Sequence, residues 1–164
     1  MIKIQRAATY GKVNPIQIFT LSEQKKLLTY LYQNTDYCKL GIIICLSTGL
    51  RLGEICALKW EDIDINNKFL QVQRTVQRVR SDTENMKTKL LEGPPKTLSS
   101  RRQIPLSDSL VEVMLPFYNT HGYVLKGNAP MDPRSYQYKF QTYLRDIGMS
   151  KTHFHVLRHY VECF

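Results

Sequence analysis

The sequence predicts a mainly α protein with a small three-stranded antiparallel β-sheet. Three observations predict it. Apolar residues recur at helical spacing on both sides of a central stretch. Residues 69–79 within that stretch partly alternate and are rich in β-branched types. Residues 94–102 then join two strand-like pieces as a hairpin would. The expected sheet is formed by roughly 69–80, 89–96 and 101–105.

The elements follow in order. Residues 1–18 lack periodicity, contain Gly11, Asn14 and Pro15, and read as a leader or linker. A helix opens at Thr20 or Ser22. Glu23 stands three residues after Thr20, the spacing of a capping box, and Leu27, Leu28, Leu31 and Tyr32 follow at helical spacing. A second helix is expected from about Asp36 to Leu46. It is apolar on most sides, hence central, and Gly49 ends it. Arg51 opens a short third helix with Ile55, Cys56 and Leu58 inward, closed by 59–64 before an Asn66-Asn67 turn. Residues 81–93 are polar and loop-like. Further helices are expected at 107–118, capped by Ser107, at 133–147, and from Phe154 to Phe164.

Composition narrows the function. The chain has 164 residues, enough for one domain with a real core. Lys and Arg number 23 against 14 Asp and Glu, a net charge of +9. A polyanionic partner is implied. Two segments concentrate the charge. Residues 71–102 hold eight basic side chains against three acidic ones, and 134–158 hold five against one. Two basic patches suit phosphate tracking.

The four cysteines, Cys38, Cys45, Cys56 and Cys163, have no C-x-x-C spacing and no clustered histidines. Neither a zinc site nor a disulfide framework is expected. Reduced thiols in a cytoplasmic protein fit better. The N-terminus lacks the apolar region of a signal peptide. The longest apolar run, 41–46, is too short to span a membrane.

Two short segments point to chemistry. Ser47-Thr48-Gly49-Leu50-Arg51-Leu52-Gly53-Glu54 and His155-Val156-Leu157-Arg158-His159 each set an arginine three residues from a second polar group, a same-face spacing on a helix. Arginine and histidine so placed can grip a phosphate by forked, charge-assisted bonds. Singly, each pair is more often solvated surface. Pro95-Lys96-Thr97 adds a lysine near the hairpin bend.

Together these blocks, with Leu58-Lys59-Trp60-Glu61-Asp62-Ile63-Asp64 and the run from Ser100 through Arg102 to Ile104-Pro105-Leu106, closely resemble the catalytic domain of the tyrosine recombinases, or phage-type integrases. The resemblance runs from about Phe19 to His159. It implies an integrase-like α+β core and DNA strand exchange through a covalent 3′-phosphotyrosine, with no cofactor and no metal. Position by position, it implies that Arg51 and Arg158 hold the scissile phosphate, that Lys96 protonates the leaving 5′-oxygen, and that His155 sits between them. It also implies supporting places for Glu54 and His159. From the central basic patch, Arg74, Arg78, Arg101 and Arg102 are the expected DNA-binding residues. The implied partners are double-stranded DNA and other recombinase protomers, with no membrane.

Two departures from the family pattern qualify these expectations. The family's nucleophilic tyrosine lies a few tens of residues beyond the His-x-x-Arg block. No tyrosine here holds that position, and Tyr160, two residues past Arg158, faces another side of a helix. Residues 1–18 also cannot encode the helical clamp domain that usually precedes the catalytic one. The expectation is therefore a partial catalytic domain over 19–164, inactive alone. The alternative is a non-catalytic DNA-binding remnant or regulatory module of the same fold.

Overall fold

The computed structural model describes residues 19–81, 87–95, 100–125 and 127–163, the last five by backbone alone. The leader expected at 1–18 lies outside the described residues. Helix α1, Leu21–Tyr32, begins with the capping box the sequence spells: the Thr20 hydroxyl accepts from Glu23 N, and Thr20 N donates to the Glu23 carboxylate. Helix α2, Tyr37–Thr48, is capped by the Asp36 carboxylate. It ends at Gly49, whose φ of 66° is the left-handed conformation glycine adopts without a Cβ penalty. Helix α3, Leu52–Ala57, starts immediately after Arg51.

The strands depart from the expected arrangement. Residues 69–80 are not one strand. They divide into β2, Phe69–Val72, and β3, Thr75–Arg80, which enter different sheets. Arg74 lies at the break, and its guanidinium pairs with the buried Asp62 carboxylate at 2.5 Å. Ile63–Asp64, expected to finish a helix, form β1 instead, after a 3₁₀ turn at Trp60–Asp62. The three-stranded antiparallel sheet is thus β1-β2-β5, with β5 at Arg102–Pro105. Strand β4, Thr88–Gly93, overlaps the strand expected at 89–96 and takes in residues of the 81–93 stretch read as loop, but it pairs with β3 as a separate two-stranded ribbon.

Helix α4, Asp108–Met114, is capped by Ser107 as expected and passes into a 3₁₀ turn, Leu115–Phe117. Helix α5, Pro133–Asp146, is capped by Asp132 with proline at its first position. The last segment, Phe154–Cys163, winds as a 3₁₀ helix rather than an α-helix.

Helix α2 forms the centre, with Leu40 through Leu46 buried around its circumference. It packs against α1, α4, α5 and the last 3₁₀ segment. Gly41 makes one of these contacts possible. A Cβ there would come within 2.3 Å of Leu125 and 2.4 Å of the Tyr136 hydroxyl. That hydroxyl donates to Cys38 O at 2.7 Å. Phe154 packs tilted against Tyr136 and edge-on against Phe140, with centroids 5.3 and 5.4 Å away. Burying such a side chain contributes about 1.5–3 kcal/mol, so this trio fixes α5 and the final segment onto α2. No helix among the described residues is long and apolar enough to cross a membrane.

Candidate active site

The left-handed turn at Gly49 ends α2 and delivers Arg51 to the position just before α3. Glu54, one turn later, folds back. Its carboxylate accepts from Arg51 N at 2.8 Å and from Arg51 Nη1 at 2.9 Å. Backbone and guanidinium of one arginine are thus held by one carboxylate. Gly53 lets α3 approach β3, because a Cβ there would lie 2.6 Å from both Thr75 Oγ1 and Val76 O.

The second arginine reaches the same turn from the other end of the chain. Arg158 Nε donates to Gly49 O at 3.0 Å. A 3₁₀ helix has three residues per turn, so His155 and Arg158 stand one above the other. Arg51, His155 and Arg158 line one open groove of about 520 Å³, with Leu50, Leu52, Gly53, Gln137, His153 and Phe154. About a hundred residues of chain are folded away between its two halves.

The electrostatics suit an anion. Burial, then the Arg51 charge, draws Arg158 below the usual arginine range, yet a guanidinium stays protonated at neutral pH. Burial alone would raise the Glu54 carboxyl. Hydrogen bonds from Arg102 and Arg51 outweigh it and hold Glu54 below its ordinary value. Arg102 meets that carboxylate with both terminal nitrogens, Nη1 at 3.1 Å and Nη2 at 3.0 Å. One buried carboxylate therefore sits among the arginines, leaving the cluster positive toward the groove.

The remaining site residues are placed differently. Lys96 lies outside the described residues, as do the side chains of His159 and Tyr160. The charges of Arg74 and Arg102 are engaged internally, on Asp62 and Glu54. Strand alternation turns Arg102 inward with Ile104, opposite the buried Val72, and leaves Arg101 exposed. Arg78 is exposed and pairs with Asp132 at the start of α5. No described tyrosine lines the groove.

Sequence reading missed Gln137. Its Oε1 accepts from Phe154 N at 2.9 Å and its Nε2 donates to Thr152 O at 3.3 Å, bracing the segment that bears His155 against α5. Nothing in its neighbourhood marks it, since the inward positions of α5 are signalled by Tyr136, Phe140, Tyr143 and Leu144.

Residues 17–162 match the phage integrase family. The chain belongs to the phage integrase family, the tyrosine recombinases. It is 31% identical over 166 residues to a XerC-like tyrosine recombinase of Caldanaerobacter subterraneus subsp. tengcongensis, covering 88% of this chain and 42% of that protein. It is 32% identical over 94 residues to the Tn916 transposase of Enterococcus faecalis, across 56% of this chain and 22% of that one. The fold matches the Tn1549 transposon integrase, solved with transposon right-end DNA, at a TM-score of 0.71 and 22% identity, over 92% of this chain and 53% of that one. It matches the XerA recombinase at 0.61 and 20%, over 93% and 50%. This integrase-family chain thus spans about half, or less, of the length of the relatives it matches.

Proposed function

We propose that this domain holds the scissile phosphate of duplex DNA between Arg51 and Arg158, with His155 alongside, for strand exchange through a 3′-phosphotyrosine. The observation that supports this most is the meeting of both arginines at the Gly49 turn. A phosphodiester under attack gathers negative charge on its non-bridging oxygens, and two fixed guanidiniums neutralise it without reorganising. In the proposed step a tyrosine hydroxyl loses its proton to solvent as its oxygen forms a bond to phosphorus, and the P–O5′ bond breaks. Lys96 gives its proton to the leaving 5′-oxygen, a poor leaving group otherwise. The bond energy stays in the aryl phosphate, so rejoining is the reverse reaction and needs no nucleotide cofactor.

The nucleophile is the part this reading does not draw from residues 19–158, whose tyrosines stand away from the groove. In that respect the 164 residues act as a phosphate-gripping DNA-binding module, and chemistry requires a tyrosine placed in line with the leaving oxygen. Exposed Arg78 and Arg101 are proposed to track the neighbouring phosphates. Arg74 and Arg102 serve the domain's own carboxylates, and other protomers complete the recombining assembly.

Titration of duplex DNA with the purified chain tests the binding claim. Log K is expected to fall linearly with log salt, with a slope of about 0.9 per phosphate neutralised. Arg51→Ala and Arg158→Ala are each expected to weaken binding and to shorten that slope by about one phosphate. Binding indifferent to salt, or none at low salt, removes DNA as the partner.

A further inference from the structure

We propose that Arg102 is a positioning residue of the phosphate clamp: acting through Glu54, it fixes the Arg51 guanidinium at the groove. This rests on the reading of Arg51 and Arg158 as the clamp. Arg102 does not line the groove. Its fork instead covers both oxygens of Glu54, at 3.1 and 3.0 Å, while the same two oxygens accept from Arg51 Nη1 and Arg51 N. The Arg51 side chain is half exposed, and its guanidinium has Glu54 as its ion-pair partner. The precision of Arg51 is therefore the precision of Glu54.

Glu54 needs Arg102 to stay where it is and stay charged. Its side chain is 3% exposed, and burying a carboxylate costs free energy unless it is paired and hydrogen-bonded. Among the described residues, the charged and titratable groups acting at this point come from four parts of the chain. They are Arg51 just before α3, Arg102 on β5, Arg158 on the last 3₁₀ segment and the buried Cys45 on α2. Among the described residues, Arg102 alone offers a two-nitrogen guanidinium fork to the carboxylate, and a fork fixes orientation as well as charge. Without it, burial acts on Glu54 with one fewer opposing partner, so the carboxyl rises toward protonation. A protonated Glu54 leaves Arg51 without a counter-ion.

Sulfate is a suitable probe, being tetrahedral like phosphate and of constant charge over the useful pH range. The full chain is titrated at matched ionic strength, following the arginine Nε–Hε signals of Arg51 and Arg158 by NMR. Arg102→Met is expected to weaken sulfate binding about tenfold, by analogy with the loss when a partner orienting a metal-ligating side chain is removed. The acid limb of its binding profile should move to higher pH. Arg102→Lys keeps the charge but not the fork, so an intermediate loss and the same direction of pH shift are expected. A purely structural role lowers the melting temperature without moving the acid limb. If Arg102→Met fails to fold, the lysine variant decides. Wild-type affinity and an unmoved acid limb in either folded variant overturn the proposal. If the wild-type chain itself fails to bind sulfate at the two arginines, the clamp reading is what has failed.

Discussion

Arg158 donates from Nε to the carbonyl oxygen of Gly49, two residues before Arg51. One backbone turn therefore sets the separation of two arginines that lie 107 residues apart in sequence. Any change that moves the turn moves both.

Gly53→Ala is the sharpest stability test of that geometry. Helix propensity alone favours alanine by about 1 kcal/mol. Contact with Thr75 and Val76 O, at 2.6 Å, opposes it, and one of the two atoms is backbone. Overpacking is expected to win by about 1–3 kcal/mol, read as a lowered melting temperature. An unchanged or raised melting temperature refutes the close α3–β3 contact.

Glu54 makes folding stability depend on pH. Its folded pKa lies below the unfolded one. The stabilisation is therefore fully present above the unfolded value and is lost as pH falls through the folded value. Glu54→Gln leaves Arg102 partly buried without its ion pair, and about 2–4 kcal/mol of destabilisation is expected near neutrality. Urea melts should show the gap between wild type and variant narrowing as the medium is made acidic. A gap independent of pH contradicts the assignment.

Tyr136→Phe removes the bond to Cys38 O but keeps the ring against Phe154. A loss of about 1 kcal/mol is expected. The hydroxyl also fills the space left by Gly41, so stabilisation on its removal would show that the space is overfilled.

Much of this architecture was legible because local rules and tertiary packing agree. Thr20 with Glu23, Asp36, Gly49, Ser107 and the apolar run of α2 each signalled the element they make. The sheets were harder. Residues 69–79 alternate only in part, and the break at Gln73-Arg74 depends on Asp62, twelve residues upstream, with which Arg74 pairs. The ordered motifs brought Arg51, His155 and Arg158 into one groove, because each stands at a fixed place in its block. The engagement of Arg102 with Glu54 was not legible, since a basic residue in a basic patch reads as surface until strand register turns it inward. Gln137 had no signal at all, because it acts on backbone atoms of a distant segment.

Covalent chemistry should be absent from these 164 residues alone. A duplex nicked beside the scissile phosphate traps a phosphotyrosine, because the released strand diffuses away. A denaturing gel is expected to show no protein–DNA adduct. An adduct that disappears in Tyr160→Phe would make Tyr160 the nucleophile, and Arg51→Ala should then abolish it as well.

The central claim is that Arg51 and Arg158 hold one anion between them. The sulfate titration of the wild-type chain tests it directly. The Nε–Hε signals of both arginines should shift together and fit a single dissociation constant. Arg51→Ala should abolish the response at Arg158. Two unrelated constants, or an Arg158 response that survives Arg51→Ala unchanged, would show two separate sites and contradict the clamp.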